Sequence, residues 1–301
     1  MFNQSRRCLL RRFMYAGAAA FIGGCKMTVP SGGAFGHKRG SRMRFGLVTY
    51  QWGRDWDLPT LIGNCEGSQV AGVELRTTHA HKVEPGLNAR QRREVKKRFD
   101  DSSVVLVGIG SNERLDSPET SVLKSAIEAT RGFIKLSHDV GGSGVKVKPN
   151  SFHEGIAREK TIEQIGRSLN ILGGFGADYG QQIRLEVHGE CSELPTMRAI
   201  MDVAKHPNVG VCWNSNSTDL KGAGLEYNFD LVKDRFGDTC HIRELNRGTY
   251  PYQELMNLYV KMDYAGWVLL EASSKPKDRL VALAEQRNIW ENMVTKAQRQ
   301  L

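Results

Sequence analysis

Arg184, Glu186 and His188 occupy alternate positions of the stretch RLEVHGE, with Leu185 and Val187 between them. A period of two puts the arginine, the carboxylate and the imidazole on one face of an extended segment and the apolar residues on the other. The pattern recurs along the chain. Lys146, Lys148 and Asn150 alternate with Val145 and Val147, and Cys212 and Asn214 alternate with Val211 and Trp213. His241 shares a phase with Arg243, Glu271 and Ser273 share the phase opposite to Val268 and Leu270, and Glu74, Arg76 and Thr78 precede His79 and His81. Two carboxylates, an imidazole and an amide on four successive strand ends offer oxygen and nitrogen donors to one divalent cation. That donor set suits Mn²⁺, Mg²⁺, Co²⁺ or Zn²⁺ better than a thiolate-preferring ion. No organic cofactor is called for.

Such a convergence needs a scaffold that brings distant strand ends together. Eight β-type runs are present, over 43–52, 72–78, 103–110, 144–150, 182–189, 208–214, 239–245 and 266–273. Amphipathic helical patterns lie between them, among them 88–99, 118–140, 159–180, 193–206 and 251–265. Strand then helix, repeated eight times in a 301-residue chain of 40% apolar content, predicts a single (β/α)8 TIM barrel over residues 43–301. A doubly wound open sheet is the alternative, but TYQWGRDWD after the first strand carries no GxGxxG phosphate turn. In a barrel, alternate strand residues face the axis, and functional groups gather at the C-terminal strand ends.

RLEVHG, PNVGVCWNSN, CHIRELN and GWVLLEAS, in this order and spacing, resemble the last four strands of the xylose isomerase-like sugar phosphate isomerase/epimerase family. The resemblance runs from about Met43 to the end of the chain. It implies a TIM barrel holding one divalent metal with Glu186, Asn214, His241 and Glu271. Where the family carries an aspartate this chain has Asn214, which lowers the ligand charge and weakens the expected grip on a metal. The resemblance also implies that Glu186 and Glu271 move a proton on and off the carbon beside a sugar carbonyl, with His188 orienting substrate or relaying protons. Lys146, Lys148, Arg76, Arg184 and Arg243 could hold substrate hydroxyls, a phosphate or a carboxylate, and Trp52 and His79 could line the pocket. Plainer roles stay open. Glu186 could pair with Arg184 or Lys146, His241 could be a satisfied interior histidine, and Trp52 could simply pack.

The opening SRRCLLRRFMYAGAAAFIGGC resembles a twin-arginine export signal over residues 1–25, with a lipobox-like end at Cys25. Residues 26–42 read as a flexible tether. The expected location is therefore the periplasm or the envelope, with a lipid anchor and a homo-oligomer left open. The net charge of +9 is concentrated in residues 1–42, which hold eight of the 42 Lys and Arg and no acidic residue, leaving 34 basic against 33 acidic. The near-neutral body excludes nucleic acid as the expected partner and leaves a small carbohydrate. Cys65, Cys191, Cys212 and Cys240 read as buried thiols, with one disulfide open in an oxidising compartment. Three functions remain: a metal-dependent sugar isomerase or epimerase (or related lyase or hydrolase), a non-catalytic sugar-binding lipoprotein, and a DNA-repair endonuclease of the same superfamily, which would need three metals.

Overall fold

The computed structural model describes residues 37–301. The stretch expected to be an export signal, with Cys25, lies outside the described residues, as does most of the expected tether. Residues 37–42, expected to belong to the tether, form turns in which the Gly40 amide and the Arg42 guanidinium both donate to the Asp263 carboxylate at 2.8 Å.

Eight parallel strands form the inner wall: β1 (Arg44–Val48), β2 (Gly72–Arg76), β3 (Val105–Arg114), β4 (Gly144–Lys148), β5 (Gln182–Glu186), β6 (Val209–Cys212), β7 (Thr239–Ile242) and β8 (Trp267–Leu270). Their order is β6-β5-β4-β3-β2-β1-β8-β7. The seam between β6 and β7 is closed by the isolated bridges Val211↔Phe236 and Asn214↔His241. Around the wall run α1 (Leu58–Gly67), α2 (Ala89–Asp100), α3 (Thr120–Val140), α4 (Arg158–Asp178), α5 (Leu194–Val203), α6 (Leu225–Val232), α7 (Tyr252–Lys261) and α8 (Arg279–Arg299). This is the (β/α)8 barrel that the alternation predicts, and the open-sheet alternative is set aside.

Local chemistry fixes the helix starts. Asp57 accepts from the Thr60 amide ahead of α1, Asn88 and Gln91 form a reciprocal capping box on α2, and Asp278 caps the first amides of α8. Apart from β3, the strands follow their period. Val145, Val147, Ile183, Leu185, Val211, Val268 and Leu270 face the helices in the main core, while Val48, Val107, Trp267 and Leu269 form a second cluster inside the barrel.

Arg184 lies in the floor of that interior. Its guanidinium donates to the Val107 carbonyl at 3.2 Å, to Ser143 Oγ at 2.7 Å and to Gln182 Oε1 at 3.1 Å. Gly108 and Gly144 make the room, since a Cβ on either would stand 2.9 Å or less from the guanidinium. Cys65, Cys191, Cys212 and Cys240 are all free and buried, so the disulfide left open by the sequence does not form among the described residues.

Candidate active site

Trp213 turns outward at the end of β6 and packs against Phe229 and Phe236, with ring centroids 5.7 and 5.9 Å away. The next side chain, Asn214, must then face the axis. Across the seam the His241 amide donates to the Trp213 carbonyl at 2.7 Å, which sets His241 of β7 beside Asn214. Glu186 ends β5, and Glu271 follows β8 immediately. One ligand atom each from Glu186, His241 and Glu271 lies within 4.8 Å of the others, and all three residues are buried. Asn214 sits between the carboxylates, its Nδ2 donating to Glu186 Oε1 at 3.0 Å and to Glu271 Oε2 at 3.4 Å. The four residues singled out from separate strands therefore meet at one point.

Asn214 Oδ1 is buried with no hydrogen-bond partner, and the two ring nitrogens of His241 face only carboxylate oxygens. An orphaned buried acceptor is costly, and here Asn214 Oδ1 and the convergent carboxylates fit a cation held by Glu186, His241, Glu271 and the Asn214 carbonyl. Glu74 of β2 stands behind His241, with Oε1 3.2 Å from Nε2, while Nδ1 lies 3.4 Å from Glu186 Oε1. A carboxylate in that place orients a ligating imidazole through the nitrogen that faces away from the metal. The sequence placed Glu74 on the inward face but gave it no task, because the partner that defines its task lies across the barrel.

Charges in the buried group are strongly coupled. Burial alone would push the Glu186 carboxyl up, yet the Lys146 ammonium and His241 outweigh it and hold Glu186 well below the usual carboxylate range. Glu74 is opposed by burial in the same way and is also held down, by the charge and hydrogen bond of His241 and by Lys146. Burial disfavours a charged His241, but Cys212, Glu74 and Glu186 together lift its imidazole well above its ordinary value. A proton and a metal ion would therefore compete for this ring.

The residues expected to bind substrate separate into three places. Arg184 is fully buried at the floor, the opposite end of the barrel from Glu271, and cannot touch a ligand at the mouth. Lys146 is 1% exposed, with Nζ 2.7 Å from Glu186 Oε2, which makes it the internal counter-ion of Glu186 and not a substrate contact. Of the two partners open to Glu186, Lys146 is the one realised. Trp52 is 2% exposed and its indole donates to the Ser274 carbonyl at 2.8 Å, so it packs and offers no stacking face.

Arg76, Lys148, Arg243, His79 and His188 remain at the rim, each partly exposed. The Arg76 and Arg243 guanidinium groups stand 3.4 and 3.6 Å from the two oxygens of Glu271, and both lie over the Tyr50 ring. Burial and the nearby Lys146 charge lower the Lys148 ammonium to about 8. His79 falls to about 4 through burial and the charges of His81 and Arg76, and its Nδ1 is 3.2 Å from Thr49 Oγ1. Burial also lowers His188. The sequence gave no signal for Tyr50 or Thr49, whose place at the mouth depends on the loop after β1, nor for Asn112 near the end of β3, whose Oδ1 accepts from Arg76 Nη2 at 2.7 Å.

The model of the xylose isomerase-like TIM barrel family matches residues 67–292. No curated protein matches this sequence. Among solved structures, an L-ribulose 3-epimerase superposes with a TM-score of 0.73 at 15% identity, covering 86% of this chain and 96% of that one. A D-allulose 3-epimerase from Methylomonas sp. in complex with D-allulose gives 0.70 at 16%, covering 85% and 98%. The IolI protein with a bound zinc atom gives 0.70 at 14%, covering 84% and 99%. At these identities the likeness is one of fold.

Proposed function

Because this chain belongs to the xylose isomerase-like TIM barrel family, we propose that it is a divalent-metal-dependent isomerase or epimerase of a small keto sugar. The observation that carries the reading is the meeting of Glu186 and Glu271 with His241 and Asn214 around one point at the C-terminal end of the barrel. A divalent ion held there by Glu186, Asn214, His241 and Glu271 would supply positive charge to the carbonyl and hydroxyl oxygens of the sugar. Glu186 and Glu271 are the two carboxylates able to take a proton from, and return it to, the carbon beside the carbonyl. Lys146 keeps Glu186 ionised, and the Arg76 guanidinium stands 3.4 Å from Glu271. Arg76, Arg243 and Lys148 bind the polar end of the substrate, and the Tyr50 ring fixes the two guanidinium groups.

The paired arginines and short apolar run of residues 1–25 support export across the membrane before the barrel functions, with Cys25 as the site of a lipid anchor. Nucleic acid is not the expected ligand. Among the described residues one group of three convergent metal-ligating side chains is present, far short of a three-metal cluster.

The test is solvent deuterium uptake into L-ribulose, D-allulose and 3-keto-glycosides, with and without added Mn²⁺, Co²⁺ or Zn²⁺. Exchange that is abolished in Glu271→Gln, whose fold is checked by circular dichroism, supports the reading. Unchanged exchange in that variant removes Glu271 from proton transfer. A binding-only barrel is the second reading, favoured by Lys146 already neutralising Glu186 and by the neutral Asn214. Sugar binding that survives EDTA with no exchange into any ketose would establish it.

A further inference from the structure

We propose that Arg114 and Asn150 are positioning residues that fix the tautomer of His188, leaving Nδ1 as an acceptor and presenting Nε2–H as a donor at the mouth of the barrel. That the donor serves a substrate oxygen rests on the function proposed above. The tautomer does not.

The network begins outside the ligand set. Asp116 is 2% exposed and accepts from Arg114 Nη2 at 3.0 Å, from Arg114 Nε at 3.3 Å and from His153 Nε2 at 2.9 Å. The same guanidinium faces the Asn150 amide, with Nη2 at 2.8 Å and Nε at 3.1 Å from one of its two terminal atoms. A guanidinium keeps its proton and only donates, so that atom must be the amide oxygen. Ser151 Oγ donates to the same oxygen at 2.9 Å. The amide nitrogen then faces His188 Nδ1 at 3.0 Å, and an amide nitrogen also only donates. His188 Nδ1 must accept, and the single proton of the neutral ring sits on Nε2.

The main chain supports the same arrangement. Asn150 has φ 72°, a left-handed conformation that asparagine tolerates better than most residues. Its carbonyl accepts from the Cys191 amide at 3.2 Å, and its backbone bridges to Gly189, where a Cβ would stand 2.4 Å from the Asn150 oxygen. Asn150 thus holds the turn after His188 through its backbone and the ring through its side chain.

The consequence is chemical. A ring nitrogen that carries a proton has no free lone pair, so Nε2 cannot abstract a proton. It can only donate to an oxygen that gains negative charge, which makes His188 an electrostatic partner of the reacting oxygen and leaves proton movement to Glu186 and Glu271. The relay role considered for His188 from sequence is replaced by a donor role.

The experiment is long-range ¹⁵N–¹H correlation on the full chain with ¹⁵N-labelled histidine, His188 being assigned by the loss of its signals in His188→Gln. The expected result is an unprotonated Nδ1 and a protonated Nε2. Asn150→Asp keeps the size and the left-handed backbone but sets an acceptor against Nδ1, so the proton should appear on Nδ1. If that variant does not fold, Arg114→Leu serves, since it releases the amide to rotate and should give a mixed Nδ1 signal. A wild-type Nδ1 that carries a proton overturns the inference, and so does a ring spectrum unchanged in whichever variant folds. The readout needs no turnover, so a chain that fails every deuterium-exchange assay can still show the fixed tautomer, and the two failures are distinguishable.

Discussion

Replacing Lys146 by methionine isolates the charge at the centre of the site. The Nζ–Oε2 distance to Glu186 is 2.7 Å, with the two side chains 0% and 1% exposed. Methionine fills most of the volume of the lysine stem, so the main effect is a carboxylate left buried without its counter-ion. Breaking a buried pair from one side costs about 3–5 kcal/mol. The Asn214 amide and His241 remain on Glu186 Oε1 at 3.0 and 3.4 Å, which places the expected loss near the lower end, about 3 kcal/mol.

The sign depends on pH. In the wild type the Glu186 carboxyl lies well below its ordinary value, so its contribution is present above the unfolded pKa and is lost as pH falls through the folded one. In the variant burial dominates and raises the carboxyl, so stability falls as pH climbs above the unfolded value. The penalty should be small near pH 4 and full near pH 8. Urea unfolding in EDTA at both pH values measures it. Adding a divalent ion at about 100 times its Kd should restore about 2.7 kcal/mol, because Glu186 is free to bind it. A loss below about 1 kcal/mol at pH 8, or an equal loss at both pH values, would show that Lys146 does not hold Glu186 ionised.

Asn214→Asp adds a negative charge to the ligand set and should tighten Mn²⁺ or Co²⁺ binding at least about tenfold by calorimetry, about 1.4 kcal/mol; unchanged affinity would place Asn214 outside that set. Burial raises the Asp219 carboxyl from 3.8 to about 7, with Tyr250 Oη donating to it at 2.6 Å. The folded state therefore keeps a proton that the unfolded chain has released, and stability should fall as pH rises from about 4 to about 7, by at most about 4 kcal/mol. Asp219→Asn should remove that slope from a series of urea melts, and a slope that persists would move its origin elsewhere. Arg184→Met removes the three charge-assisted hydrogen bonds of a buried guanidinium, to the Val107 carbonyl, Ser143 Oγ and Gln182 Oε1, and should cost about 2–4 kcal/mol while leaving divalent affinity unaltered; a changed affinity would contradict its place at the floor.

Alternation showed which side chains face the axis on β2, β4, β5, β6, β7 and β8, but β3 departs from it, with Val107 inside the barrel and Ile109 in the outer core. It could not show depth. Arg184 and Glu186 share a face, but two residues of extended chain span roughly 7 Å, enough to separate the floor from the mouth. Depth in a barrel depends on strand stagger, and stagger is a property of pairing registers that one strand does not carry. The same limit hid Glu74, whose meaning comes from His241 on a strand that is not its neighbour. Trp52 failed for a different reason: an indole is equally suited to stacking on a sugar or filling a gap, and only the Ser274 carbonyl decides. Arg114 and Asp116 were invisible because the β3–β4 register shifts between Gly110 and Arg114, and an irregularity of that kind re-aims side chains without a pattern in the sequence.

The site also sits where the barrel is least continuous. Between β6 and β7 the wall is joined by isolated bridges, one of which is Asn214↔His241 itself. The bonds on either side of it run from the His241 amide to the Trp213 carbonyl and from the Ser215 amide to the His241 carbonyl, at 2.7 and 3.1 Å. Tyr252 of α7 ties the two ends together, its hydroxyl standing 3.1 Å from both Ser215 Oγ and the Arg243 amide. The backbone groups that close the cylinder are thus the groups that hold the Asn214 and His241 side chains in place. Spacing between these two donors is set by main-chain hydrogen bonds, so any cation or sugar that draws them together acts directly on the closure of the barrel, and ligand affinity and local stability at the seam are coupled through the same few bonds.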